Sequence, residues 1–135
     1  MILGFDFGMK YIGVASGQLI TKTATPLTCL RAVDGIPDWA EIQQLIDTWK
    51  PTTLIIGKPP ADNSSTQLLV HCIQKFANRM QHKYKIPIIL VDEHLSTWEA
   101  KHELLSYKAK LDNKQLAIIN AKAAAIIVTQ WLQEQ

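Results

Sequence analysis

The sequence predicts an α/β fold in which a mixed, five-stranded sheet is flanked by helices. Three observations carry this prediction. Two apolar runs, Ile2 to Phe5 and Tyr11 to Ala15, flank a tight Gly-containing turn and read as a β-hairpin. Two later runs, Thr52 to Ile56 and Pro87 to Val91, are short, apolar and rich in β-branched residues, as buried parallel strands are. The segments between and after them repeat apolar residues at helical spacing. Early hairpin strands followed by βα units give antiparallel pairing first and parallel pairing later.

Each element has its own reason. A third strand runs through Ala24 to Ala32, and Pro26, which cannot donate to a ladder, places it at an edge. Asp38 with Glu41 is spaced as a capping box, and Ile42, Leu45, Ile46 and Trp49 continue on one helical face until Pro51 stops it. Residues 58–65 form a loop whose serines can cap a helix from about Thr66 to Lys83. Ser96 and Glu99 form a second box opening a helix to about Ser106. Asp112 with Gln115 caps a final helix that reaches nearly to Gln135.

The 135 residues suit one domain, 1–135, with 47% apolar residues and a mean hydropathy of +0.02. No basic, apolar leader opens the chain, and the apolar stretch from Ala117 to Val128 is too short to span a bilayer. Cys29 and Cys72 match no metal or redox spacing and read as reduced thiols of a cytoplasmic protein without a membrane role. A net charge of +2 does not announce a nucleic-acid binder, but its distribution is uneven. Residues 63–91 hold Lys75, Arg79, Lys83 and Lys85 and no acid, a stripe that suits either phosphates or plain solvation.

Chemistry is expected where parallel strands end, because ligands gather outside their carboxyl ends. Three such ends can be named: Asp6, Gly57-Lys58 and Asp92-Glu93. Asp6 is open to two readings, a turn-opening residue or a carboxylate held for a divalent cation. Two carboxylates delivered to one edge repel unless a cation lies between them, and magnesium prefers such oxygen donors. Two ions roughly 4 Å apart can stabilise both the attacking and the leaving oxygen of a phosphodiester. Lys10 and Lys58 would neutralise phosphates beside them.

These residues carry a resemblance. Asp6-Phe7-Gly8-x-Lys10-x-Ile12-Gly13-Val14-Ala15, Gly57-x-Pro59 and Asp92-Glu93-x-Leu95-Ser96-Thr97 are similar to the motifs of the YqgF (RuvX) family, over essentially the whole chain. The resemblance implies an RNase H-like, magnesium-dependent nuclease, with manganese as a substitute. It implies processing of the 5′ end of pre-16S rRNA in ribosome biogenesis, or resolution of branched DNA as a Holliday junction resolvase. The implied partners are structured RNA or branched DNA, and the implied state is a monomer or weak homodimer. The family's first two acids fall on Asp6 and Glu93. Its third, an Asp on the last helix, falls on Asn120, which can ligate magnesium through its carbonyl but adds no charge and cannot act as a base. Catalytic and metal-holding roles are therefore assigned to Asp6, Glu93 and Asn120, and substrate contacts to Lys10, Lys58, His94, Ser96 and Thr97. His94 stands where the family usually has Arg. Asn120 also opens a different class, an RNA-binding assembly factor with little hydrolysis. A two-domain ATP clasp of the actin type is disfavoured, since no second Asp-x-Gly hairpin follows.

Overall fold

The computed structural model describes residues 1–60, 67–94, 98–101, 103 and 111–135. Its centre is a sheet of β1 (Ile2–Asp6), β2 (Tyr11–Gln18), β3 (Thr23–Val33), β4 (Ile36–Pro37), β5 (Thr53–Lys58) and β6 (Ile88–Asp92). The strands lie in the order β4-β3-β2-β1-β5-β6. The first four pair antiparallel along the chain, and β1-β5 and β5-β6 pair parallel, as the early hairpin and the later apolar runs require.

Among the described residues the sheet has six strands, where the sequence predicts five. The extra strand, β4, pairs only Ile36 and Pro37 with Val33 and Ala32. Its cause is Asp34-Gly35, both at positive φ (52° and 80°), the pair favoured in a two-residue hairpin turn whose twist matches that of its strands. Along the rest of β3 the outer edge carries no further strand among the described residues, and Pro26 lies there as expected. A register shift between Val14 and Ala15 accommodates it, with Thr28 and then Pro26 as their partners.

Among the described residues, two helices cover one face of the sheet and the last helix covers the other. Helix α1 (Trp39–Trp49) starts at Asp38, whose carboxylate accepts the Ala40 N–H, and ends at Lys50 in the left-handed conformation. Helix α2 is Gln67–Tyr84, close to the expected span. With the strands it encloses Leu3, Phe5, Ile12, Val14, Ile42, Leu54, Ile56, Ile73, Phe76 and Met80. Trp39 packs on this core, stacked on Phe76, with Arg79 and Lys83 over its ring at 5.8 and 5.3 Å. Two members of the basic stripe are thereby structural contacts. Cys29 and Cys72 are free thiols, as expected.

Helix α3 (Asn113–Gln133) lies on the opposite face, against Ile2, Ala15, Ile55 and Val91, through Ala124, Ile127, Val128 and Leu132. Its capping box is complete: Asp112 accepts the Gln115 N–H at 2.7 Å, and the Gln115 side chain accepts the Asp112 N–H at 3.0 Å. The helix is long and apolar enough to cross a membrane by composition, but half of that apolar window is buried in the fold. Residues 98–101 and 103 are helical, within the helix expected after Glu93.

Candidate active site

Strand alternation decides which side chains reach the site. In β1, Leu3 and Phe5 point into the α1–α2 core, so Ile2, Gly4 and Asp6 face α3. Asp6 pairs with Gly13 on one side and Gly57 on the other, so its neighbours at that level have no side chains. This absence is structural. A Cβ on Gly13 would overlap the backbone carbonyl of Asn120, and one on Gly57 would overlap Ile127. The missing side chains let the α3 backbone lie on the sheet and bring Asn120 to the end of β1.

Glu93 arrives just past β6, where Lys58 and Asp92 are parallel partners. Its N–H donates to the Lys58 carbonyl at 2.9 Å. From α3, Gln130 fixes both flanking residues: its Nε2 donates to the Asp92 carbonyl at 2.7 Å, and its Oε1 accepts the His94 N–H at 3.3 Å. The chain is thus pinned on each side of Glu93, whose carboxyl turns inward and is only 6% exposed.

The three assigned residues come together as buried polar groups at the carboxyl ends of β1, β5 and β6. Glu93 and Asn120 line a cavity of about 310 Å³ together with Lys10, Trp98 and Lys101. Asp6 is 2% exposed and receives the Lys101 ammonium on both carboxylate oxygens, at 2.8 and 2.7 Å. Burial alone pulls the Lys101 ammonium down, but Asp6 and Glu93 outweigh it and leave it above the usual lysine value. Glu93 behaves oppositely. Burial and the nearby Asp6 push its carboxyl up to about 7, against the pull of Lys101, and among the described residues its Oε1 has no hydrogen-bond partner. The same Asp6 charge, after burial, helps push the Cys29 thiol up to about 11, which makes it a poor nucleophile.

Asn120 donates its amide N–H to the Leu116 carbonyl at 2.8 Å. This bond leaves the side-chain carbonyl as the group to offer the cavity. Among the described residues no three His, Cys, Asp or Glu side chains gather as a metal cluster. Two carboxyl groups and one amide remain, and they suit a hard cation: Glu93 Oε1 is a buried carboxyl oxygen without a hydrogen-bond partner among the described residues.

The assigned substrate contacts divide. Lys10 lies at the cavity. Lys58 does not line it; its ammonium is 3.4 Å from Asp92 in a half-exposed pair, because their side chains emerge from adjacent register positions. His94 is exposed and also stands away from the cavity lining. Ser96 and Thr97 lie outside the described residues, as do the serines expected to cap α2. Trp98 forms part of the cavity wall. Two residues were missed in the sequence. Lys101 follows Trp98 by three positions, so the helix face of Trp98 could have revealed it. Gln130 carried no signal, since a Gln near a helix end reads as solvated.

Comparison with known proteins identifies the family. The family model RuvX, described as Holliday junction resolvase, matches residues 1–134. A protein of Coxiella burnetii named "Putative pre-16S rRNA nuclease" is 44% identical over 133 residues, covering 98% of this chain and 92% of its own length. One of the same name from Nitrosococcus oceani is 44% identical over 135 residues, covering 100% and 88%. Among solved structures, Thermus thermophilus RuvC in complex with a Holliday junction substrate aligns with a TM-score of 0.59 at 13% identity, over 98% of this chain and 93% of that one. That likeness establishes the RNase H-like fold, and the family match with its nuclease relatives establishes the rest: the chain belongs to the RuvX family and is a nuclease.

Proposed function

We propose that this protein, as one domain over residues 1–135, is a magnesium-dependent endonuclease that processes the 5′ end of pre-16S rRNA in the cytoplasm. The observation that carries this reading is the buried group Asp6, Glu93 and Asn120, gathered from three distant parts of the chain beside Lys10. Burying two carboxylates at one sheet edge is costly unless a cation answers them. The names of the relatives supply the substrate class.

In this reading Asp6, Glu93 and the Asn120 carbonyl hold a divalent cation. When bound, such an ion stabilises the charge that develops on phosphodiester oxygens and activates water. The remaining work belongs to side chains. Lys10 reaches solvent at the cavity and attracts the scissile phosphate. Trp98 gives the cavity a flat apolar wall against which a nucleoside can lie. Asn120 does not move protons, so the centre has one general base fewer than a three-acid site.

The test is cleavage of a precursor 16S transcript and of a four-way DNA junction, with magnesium, manganese or EDTA. Metal-dependent cutting of the transcript, lost in Asp6→Asn and Glu93→Gln, is the expected result. Equal cutting by those variants would refute the assignment, and preference for the junction would move it to resolution, which needs a dimer for symmetric cuts. Asn120 also favours a second reading, RNA binding during ribosome assembly with slow turnover. Its signature is tight transcript binding by the wild type without cleavage.

A further inference from the structure

Lys101 brings a charge of its own into the centre. Its ammonium contacts both oxygens of Asp6, and its side chain is only 12% exposed. Asp6 is therefore already answered by a cation tethered to the chain. Glu93 is not: its Oε1 is buried without a hydrogen-bond partner among the described residues. Asn120, the third buried polar group, has committed its amide N–H to Leu116 and carries no charge.

The charges can be counted. Asp6 and Glu93 contribute −2 and Lys101 contributes +1, which leaves −1. One divalent ion would make the centre +1, the complement of a single phosphodiester. A second would make it +3, with both ions close to an ammonium and only two anionic side chains to hold them. Compared with a centre of three acids and no lysine, this one is less negative by two charges, which is the charge of one divalent ion.

We propose that the centre takes a single divalent cation, on Glu93, Asp6 and the Asn120 carbonyl, and that the Lys101 ammonium fills the role of a second. Lys101 is thus a charge-supplying residue of the active site, and Asn120 and Lys101 are two parts of one electrostatic arrangement. The inference rests on the metal-dependent nuclease reading and specifies the stoichiometry and charge of its centre.

The experiment is a manganese titration of the full chain at pH 8, with free ion counted by electron paramagnetic resonance. The wild type binds one ion per chain. Lys101→Met removes a positive charge close to that ion and tightens binding by about tenfold or more. Lys101→Arg keeps the charge and leaves binding near the wild-type level. Lys101→Met combined with Asn120→Asp restores a three-acid centre and binds two ions. Should Lys101→Met fail to fold, Asn120→Asp alone still decides the matter, because with Lys101 in place it binds one ion, more tightly. Two ions on the wild type or on Asn120→Asp overturn the proposal, as does unchanged affinity in a folded Lys101→Met. If two ions bind while the transcript is cut, this inference fails and the nuclease reading stands. If no variant binds manganese and no transcript is cut, the metal-dependent reading fails with it.

Discussion

Replacing Glu93 by Gln tests the electrostatics of the centre without measuring activity. In the folded, metal-free protein the Glu93 carboxyl is pushed up to about 7 by burial and by Asp6. In the unfolded chain it titrates at the ordinary carboxyl value of 4.5. Between these values the folded state holds a proton that the unfolded state has released, so unfolding releases a proton and stability falls as pH rises. Below 4.5 the effect is absent, and above about 7 it is complete. At 1.36 kcal/mol per pH unit the interval amounts to about 3 kcal/mol, a large part of the stability of a small domain. Gln keeps the shape and the neutral form at every pH. Urea unfolding in EDTA, at steps from pH 4.5 to 8, should therefore show the wild type losing about 3 kcal/mol relative to Glu93→Gln, with the two nearly equal at the acid end. The difference between the proteins cancels other titrating groups. Parallel curves would mean that Glu93 is ionised throughout, and would remove the argument that its orphaned oxygen awaits a cation.

In the same pH series, manganese affinity should rise about tenfold per pH unit up to about 7 and then level off, because the ion takes the ionised form of Glu93; a flat isothermal titration profile would contradict this. Asn120→Asp should lower metal-free stability by about 1–3 kcal/mol, since it loses the hydrogen bond to Leu116 and adds a third buried anion, and added manganese should recover that loss in a thermal melt. Gln130→Leu removes both bonds that flank Glu93, and should weaken manganese binding several-fold while leaving the helix content by circular dichroism unchanged. Gly13→Ala sets a methyl group against the α3 backbone and should cost more than 2 kcal/mol in urea unfolding; a neutral result would show that α3 can move off the sheet freely.

Most of the architecture was legible because it depends on local patterns. Apolar runs, Pro26, the capping pair Asp112 and Gln115, and the strand ends at Asp6 and Asp92 each carry their information within a few residues. Even β4 had a local signal in Asp34-Gly35. The pairing of Asp6 with Glu93 was legible for a different reason: burying an acid demands a partner, and parallel strands bring their ends to one edge, whereas Asn120, on a helix, was reached only through the family resemblance. Lys58 shows where that logic stops. A basic residue at a strand end has more than one acid in reach, and register gives it Asp92 rather than the cavity. Lys101 and Gln130 were missed because their roles arise from contacts with groups 95 and 36–38 residues away along the chain, made by side chains that look ordinary in the sequence.

Those contacts also tie the centre to two elements, the sheet and α3. Asp6 belongs to the sheet, held in β1 between Gly13 and Gly57. Asn120 belongs to α3, and through Gln130 the same helix fixes the backbone around Glu93. A shift of α3 would therefore move Asn120 relative to Asp6 and draw Gln130 away from the backbone on each side of Glu93, whose own N–H is held by Lys58 of the sheet. What fixes α3 is the fit of Val128 and Ile127 over Gly4, Gly17 and Gly57, together with the Asn120 backbone against Gly13. Side chains that never touch the cavity thus set its dimensions. Substitutions such as Val128→Leu, which overfill that fit, are expected to alter cation affinity without changing any charge in the site.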